Sequence, residues 1–350
     1  KLLGVNYAVA LSNGSVALDL ALMALGISVG DHVIVPSRSF VASASCVALR
    51  GAIPIFCDVD IESQNITVTE VEKVFTRKTK AVIAVHLAGW PCELDKLRAF
   101  CEKKGIFLIE DCAQAHGARY KGKPVGSFGD VSCFSFCQDK IISTGGEGGL
   151  LTTNNKRIWK KVWSFKDHGR DYKVMFNKKV SNGFVWSVFN FGSNYRMTEM
   201  QAAIGRVMLK KLDSWVAKRR RLVKILDGNF AKMVELRIAI PAKEFYHSYY
   251  KYYVYVRPER LKTCWSRNRI LQKLARKGIV CGSGACPEIY LEKAFKKQRD
   301  SLGLSVQKRL PITKILGETS MMFQVHPTLT EGNMDYIVDT MKKIIEKAKK

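Results

Sequence analysis

No apolar run in this chain of 350 residues reaches the ~18–20 positions a membrane-crossing helix needs, so no spanning segment is expected. Proline is scarce, at 9 residues, and there is no low-complexity tract or solenoid-period repeat, as in an ordinary globular protein and unlike a repeat array. CxxC pairs are absent among the ten cysteines. Cys133-x3-Cys137 and Cys281-x4-Cys286 come closest to ligand spacing but lack a second pair, so no metal site is expected. Cys46, Cys57, Cys101, Cys112, Cys133 and Cys137 lie in or beside apolar runs, where a free thiol behaves as a small hydrophobe. A chain this long needs no disulfide staples, and a reducing compartment, the cytoplasm, is expected. The opening Lys1 to Leu11 lacks a small-residue cleavage site and reads as a strand, not a signal peptide. It starts without Met and almost inside that strand, so a further N-terminal piece is expected to precede it.

Acidic residues are also short, at 31 against 57 Lys and Arg, giving a net charge of +26. The imbalance is local. Residues 1–150 hold 15 of each sign, whereas residues 151–350 hold 42 basic and 16 acidic side chains. Such a field could attract an anionic substrate, a membrane or nucleic acid; the simpler reading is a lysine-rich solvated surface. Basic residues are scattered and no groove-reading helix-turn-helix is visible, so nucleic acid is not an expected partner.

What is present is alternation. Val16–Leu25 is rich in Ala and Leu and reads as a helix; His32–Pro36 reads as a strand, Phe40–Leu49 as a helix and Ala52–Val59 as a strand. Helix and strand alternate onward through Glu70–Phe75, Ala81–Leu87, Cys92–Lys104 and Ile106–Asp111, and Val131–Phe136 is predicted to close the series. Repeated strand–helix units imply an α/β fold with a mainly parallel sheet, whose ligands gather at the carboxyl ends of strands. One long helix is predicted over Met197–Leu226, then a smaller α+β unit: a strand at Tyr249–Val256, a helix at Arg267–Lys277, a strand at 279–281, a helical run near Val306–Leu310 and a last helix over Asn333–Lys349. The predicted division is a large domain over residues 1–225 and a small one over 226–350.

Three motifs fall where chemistry is expected. Ser12-Asn13-Gly14-Ser15 joins a strand to a helix start, whose free N–H groups and positive dipole end can seat a phosphate; the same residues also make an ordinary cap. Asp111 ends an apolar strand, where a carboxylate is costly without a cationic partner; the protonated ring nitrogen of pyridoxal phosphate (PLP) is such a partner, and a turn cap is the alternative. Lys140 lies between apolar runs ahead of Gly145-Gly146-Glu147-Gly148-Gly149, which suits a lysine to covalent carbonyl chemistry. The order phosphate loop, Asp, Lys points to a PLP enzyme.

These segments, with Gly30-Asp31-His32-Val33-Ile34-Val35-Pro36-Ser37, Val85-His86-Leu87-Ala88-Gly89 and Gly192-Ser193-Asn194-Tyr195-Arg196-Met197-Thr198-Glu199, resemble the DegT/StrS family of sugar aminotransferases over nearly the whole chain. The resemblance implies PLP fold type I. It implies that Lys140 is the covalent anchor and acid/base, that Asp111 faces the ring nitrogen, that Phe40 stacks on the ring and that Gln114 reaches its phenolic oxygen. Asn13, Gly14, Ser15 and Ser135 would hold the phosphate, completed by Asn194 or Arg196 of a neighbouring subunit in a homodimer. The implied substrates are an amino acid, glutamate first, and a nucleotide-linked keto-sugar used in surface polysaccharide or a glycosylated metabolite. His168 and Arg170 are the candidates for holding its diphosphate. Family chains usually begin some tens of residues earlier, and Ser15 stands where Thr is common. The other readings are a PLP-dependent dehydratase or lyase, against which Lys140 speaks because dehydratase relatives carry histidine there, and a DNA-binding regulator.

Overall fold

The computed structural model describes residues 2–176 and 187–350. Its first half alternates as β1 (Tyr7–Leu11), α1 (Gly14–Leu25), β2 (His32–Pro36), α2 (Ala42–Leu49), β3 (Ile53–Cys57), α3 (Val68–Val74), β4 (Thr79–Val85), α4 (Leu94–Lys104) and β5 (Phe107–Asp111). A two-stranded β6 (Arg119–Tyr120) and β7 (Lys123–Pro124) precede β8 (Val131–Ser135), β9 (Gly149–Thr153), α5 (Lys156–Lys166) and the short α6 (Tyr172–Met175). Seven strands form one sheet in the order β1-β9-β8-β5-β4-β2-β3. From β8 across to β3 every pairing is parallel, and β9 runs antiparallel to both its neighbours. A parallel sheet is covered on both faces, which is why β8 is buried at all five positions and β4 at all but one.

Where the sequence misled, the reasons are physical. Val131–Phe136 does not close the series, because β9 inserts between β8 and β1; it opens on Gly149, a poor strand former that continues the glycine-rich stretch before it, and its five residues do not alternate in polarity. The helix predicted over Met197–Leu226 is two helices, α7 (Glu199–Leu209) and α8 (Leu212–Phe230), divided at Lys210-Lys211. α7 buries none of its residues, whereas α8 buries Leu212, Val216, Leu222, Val223, Leu226 and Phe230, so the two cannot share one packed axis.

The second half adds β10 (Leu236–Ile238), β11 (Phe245–Tyr246), β12 (Tyr252–Val256), α9 (Arg267–Ala275), β13 (Cys281–Gly282), α10 (Lys293–Ser301), α11 (Pro311–Thr319), β14 (Ser320–Phe323) and α12 (Glu331–Ala348). Val306–Leu310 is not helical; α11 begins after it, with Pro311 in the first turn, where a missing N–H costs nothing. The strand predicted from Tyr249 begins at Tyr252, since Tyr249 has φ +48°. The antiparallel sheet β10-β12-β14-β13 carries a core of its own with α8, α9 and α12, whereas Ile289, Tyr290 and Phe295 return to the core around α1 and α2. α8 spans both halves: Leu212 and Val216 pack with the large sheet, Leu222 to Phe230 with the small one.

Candidate active site

The carboxyl ends of β1, β8 and β5 lie side by side, and the register sets their spacing. Gly149 of β9 faces Leu11 on one side and Ser135 on the other, and Cys133 of β8 faces Asp111 of β5. Glycine is required at two of these positions. A Cβ on Gly149 would stand 2.2 Å from the Asn13 carbonyl oxygen, and one on Gly14 would stand 2.6 Å from the Ser135 Cβ. The loop after β1 is thereby drawn against the end of β8, and α1 starts there. Asn13 caps it, accepting from Val16 N at 2.9 Å, and Ser15 is exposed in its first turn. Asn13 therefore serves as a cap in this structure, Gly14 lies against Ser135, and Ser15 is exposed in a helix start whose free N–H groups can receive an anion.

Asp111 is buried to 5 % exposure at the end of β5. Its oxygens accept from Ser43 Oγ at 2.8 Å and Ala113 N at 3.1 Å, and no ion-pair partner is found among the described residues. Burial raises its carboxyl above the usual range, against the pull of those hydrogen bonds and of the more distant His86 and Lys140. A buried carboxylate this short of cations is the counterpart of a missing positive group. The neighbouring Glu110, by contrast, is fully provided for by Gly126, Phe128 and Gly129 N–H groups, Ser132 Oγ and His86. In the buried His86–Glu110–Cys112 cluster the carboxylate is therefore committed to holding β5 against the 126–129 turn.

Lys140 lies after β8, its side chain 16 % exposed, with Nζ 3.1 Å from Asp139 Oδ1 and 3.4 Å from Tyr250 Oη. Tyr250 Oη in turn donates a short hydrogen bond to Asp139 Oδ2. Burial would raise the Asp139 carboxyl, but the Tyr250 hydrogen bond and the Lys140 charge outweigh it and hold it below the ordinary value. Burial and then Asp139 push the Tyr250 phenol far up, so it stays a donor. Neither Tyr250 nor Asp139 was identified from sequence. Tyr250 sits in a tyrosine-rich run that reads as strand, and 110 residues separate it from Lys140.

Gln114 accepts from Ala88 N at 2.8 Å, which fixes its amide so that the NH2 group is free to donate. Phe40 is 64 % exposed just ahead of α2, with an open ring face. Asn194 and Arg196 are exposed; Tyr195 between them accepts from Ser12 N at 2.9 Å, so their segment borders the phosphate loop, and Arg196 pairs with Asp167 of its own chain. His168 and Arg170 gather around the same Asp167, with Arg170 Nη1 3.9 Å from it. They do not line the cavity that opens beside Lys140.

A flat, anionic, electrophilic cofactor fits these parts: a phosphate seat, an uncompensated acid for a ring cation, a free amide donor, an open aromatic face and a lysine. Comparison with known proteins agrees. The sequence model of the DegT/DnrJ/EryC1/StrS aminotransferase family matches residues 1–342. The GDP-perosamine synthase of Escherichia coli O157:H7 is 35 % identical over 341 residues, 97 % of this chain and 86 % of that protein. An aminotransferase structure from Psychrobacter cryohalolentis superposes with a TM-score of 0.94 at 45 % identity, covering 99 % of this chain and 88 % of that one. A Streptococcus pneumoniae protein described as a sugar aminotransferase, solved in PLP and PMP forms, superposes in the latter with a TM-score of 0.87 at 27 % identity, covering 99 % of this chain and 89 % of that one.

Proposed function

Because this chain belongs to the DegT/DnrJ/EryC1/StrS aminotransferase family, we propose that it moves the amino group of glutamate onto a GDP-linked keto-sugar. The enzyme class itself follows from the family: a PLP-dependent sugar-nucleotide aminotransferase acting on an amino donor and a sugar. The GDP carrier and an amino-sugar product such as GDP-perosamine are suggested by the activity of the Escherichia coli relative.

Bound PLP supplies the electron sink and carries the amino group between substrates. In this reading Lys140 would anchor it and, once its nitrogen is free as the neutral amine, would take the proton from one carbon and return it to the other, with Asp139 and Tyr250 positioning that nitrogen. Asp111 keeps the ring nitrogen charged, Ser43 orients Asp111, and Gln114 donates to the phenolic oxygen. Gly14, Ser15 and Ser135 seat the phosphate, with Asn13 shaping the loop. The observation that carries the assignment is the buried Asp111 carboxylate, without an ion-pair partner among the described residues, at the same sheet edge as Lys140. Glutamate should convert the visible spectrum of the purified holoenzyme, and a GDP-4-keto-sugar should restore it with formation of an amino-sugar detected by mass spectrometry. A stronger response to UDP- or dTDP-linked keto-sugars would overturn the GDP assignment.

The homodimer belongs to the same proposal. Val188, Phe189 and Phe191 are exposed beside Asn194 and Arg196, and α7 leaves Met200, Ile204 and Val207 uncovered. An apolar face of this kind, next to residues assigned to a shared phosphate site, suits a second copy of the chain. Light scattering should give twice the chain mass of 39.4 kDa, and Met200→Glu with Val207→Glu should give monomers that release PLP. No helix among the described residues is long and apolar enough to cross a membrane, and a cytoplasmic location is proposed with the nucleotide-sugar substrate.

A further inference from the structure

Beside Lys140 a cavity of about 550 Å³ opens between the large sheet's edge and the small sheet, lined among others by Arg219, Tyr250, Lys251, Gln324 and His326. Its charges do not balance. Among the described residues of the lining Asp139 is the one acid, against Lys140, Arg219 and Lys251; with Lys140 given to the cofactor, Arg219 and Lys251 remain as cations, and Asp139 is already engaged by Tyr250. Arg219 is 3 % exposed; its Nη1 donates to the carbonyls of Tyr249 and Tyr250 at 3.2 and 3.1 Å, and its Nε has no partner among the described residues. Lys251 and Lys140 lie over the Tyr250 ring, 4.6 and 5.0 Å from its centroid, so one aromatic ring bridges two ammonium groups.

The cations feel one another. Burial draws the Arg219 guanidinium down to about 10, and burial followed by the Arg219 and Lys140 charges lowers Lys251 despite Asp139. His326 is lowered by burial and by both Arg219 and Lys251. Repulsion of this kind is relieved by a bound anion. Among the anions of the reaction, a diphosphate is flanked by a nucleoside and a sugar and needs an open channel on both sides. A carboxylate at the end of a slim chain can reach a guanidinium as deep as Arg219, and it matches the planar fork.

We infer that this cavity is the carboxylate-recognition site for the amino donor, with Lys251 and Arg219 as the residues that select a dicarboxylic amino acid. The inference rests on the reading of glutamate as donor and is independent of which sugar accepts the amino group. Gln324, which accepts from Lys251 Nζ at 2.7 Å, holds that ammonium at the cavity wall.

Two measurements on the holoenzyme test it, both without any sugar present. In calorimetry, glutarate should bind the wild type, and Lys251→Gln should weaken that binding about tenfold or more, the loss of one charge-assisted contact, while GDP affinity stays within about twofold, a limit set well below that loss. In spectral titrations of the cofactor, L-glutamate should act at far lower concentration than L-norvaline, which has the same chain length without the distal carboxylate, and Lys251→Gln and Arg219→Lys should each narrow that gap. Circular dichroism separates a folded Arg219→Lys from a collapsed one, and the norvaline comparison needs no variant. Equal use of norvaline and glutamate by the wild type, an unchanged glutarate affinity in Lys251→Gln, or a loss of GDP binding equal to that of glutarate would each overturn the assignment. A GDP-sugar that fails as acceptor leaves these results untouched, so the two readings fail separately.

Discussion

At the scale of single residues, Lys140 and Asp111 were legible because each ends or follows an apolar strand, where a charge demands a reason. Their partners were not, since Ser43 and Tyr250 reach them from 68 and 110 residues away. Lys140→Ala should leave the fold intact, because the polar contacts of the side chain among the described residues are with Asp139 and Tyr250 at the cavity wall, and should abolish turnover together with the borohydride-fixed cofactor label on this residue. Asp111→Asn should still bind PLP through the phosphate seat, yet the amide cannot support a charged ring nitrogen, and turnover should fall roughly 10²–10³-fold. A change below about threefold would make Asp111 a turn cap instead, since the electrostatic role predicts far more. Tyr250→Phe removes the phenol shared by Asp139 and Lys140; kcat should drop roughly tenfold, as for one hydrogen bond to a charged group, with the KM for glutamate little changed.

Among the elements, the parallel strands could be read because burial on both faces makes them continuous apolar runs, and α1, α4 and α12 because their caps or their amphipathic faces are explicit. β9 could not, because its place is fixed by contact with β1 and β8 and not by its own residues. The same strand explains why Gly149 matters: in sequence it is the last of the glycine-rich stretch after Lys140, and in the fold it is the point where the Asn13 carbonyl approaches the sheet. Gly14 has the matching role from the α1 side. Gly14→Ala places a methyl 2.6 Å from the Ser135 Cβ, too close without moving either α1 or the end of β8. Overpacking of this sort costs about 1–3 kcal/mol. Because the displaced parts are the phosphate seat, the loss should show in PLP affinity before it shows in thermal stability. Equilibrium dialysis of the cofactor should give a dissociation constant raised at least about fivefold, the low end of that cost; an unchanged constant would remove the loop from the phosphate site.

For the molecule as a whole, the positive charge was visible in sequence but its meaning was not. Only when the chain is folded do Arg219 and Lys251 separate from the many exposed lysines and join Lys140. Folding also internalises groups that matter for acid stability. Burial and the Lys140 charge push His116 down to about 3, where its ring lies 5.7 and 5.6 Å from those of Phe134 and Phe136. Burial together with Arg220 lowers His247 well below its ordinary value. These histidines stay neutral in the fold while the unfolded chain takes up protons below about pH 6.5, the ordinary histidine value. The unfolded state therefore binds more protons, so their contribution is complete above that pH and is lost as pH falls toward the folded values. Glu110 acts in the same direction at lower pH, since His86 and the backbone N–H groups overcome burial and hold it ionised. Asp111, raised by burial, opposes them. For one histidine the linkage amounts to about 2 kcal/mol between pH 7.5 and pH 5. Urea unfolding at those two pH values should show a loss of stability at the lower one, and His116→Phe, which keeps an aromatic ring between Phe134 and Phe136, should reduce that loss by about 2 kcal/mol. Equal pH dependence in wild type and variant would mean that His116 is protonated in the native protein, and that the aromatic layer it forms with Phe134 and Phe136 admits charge.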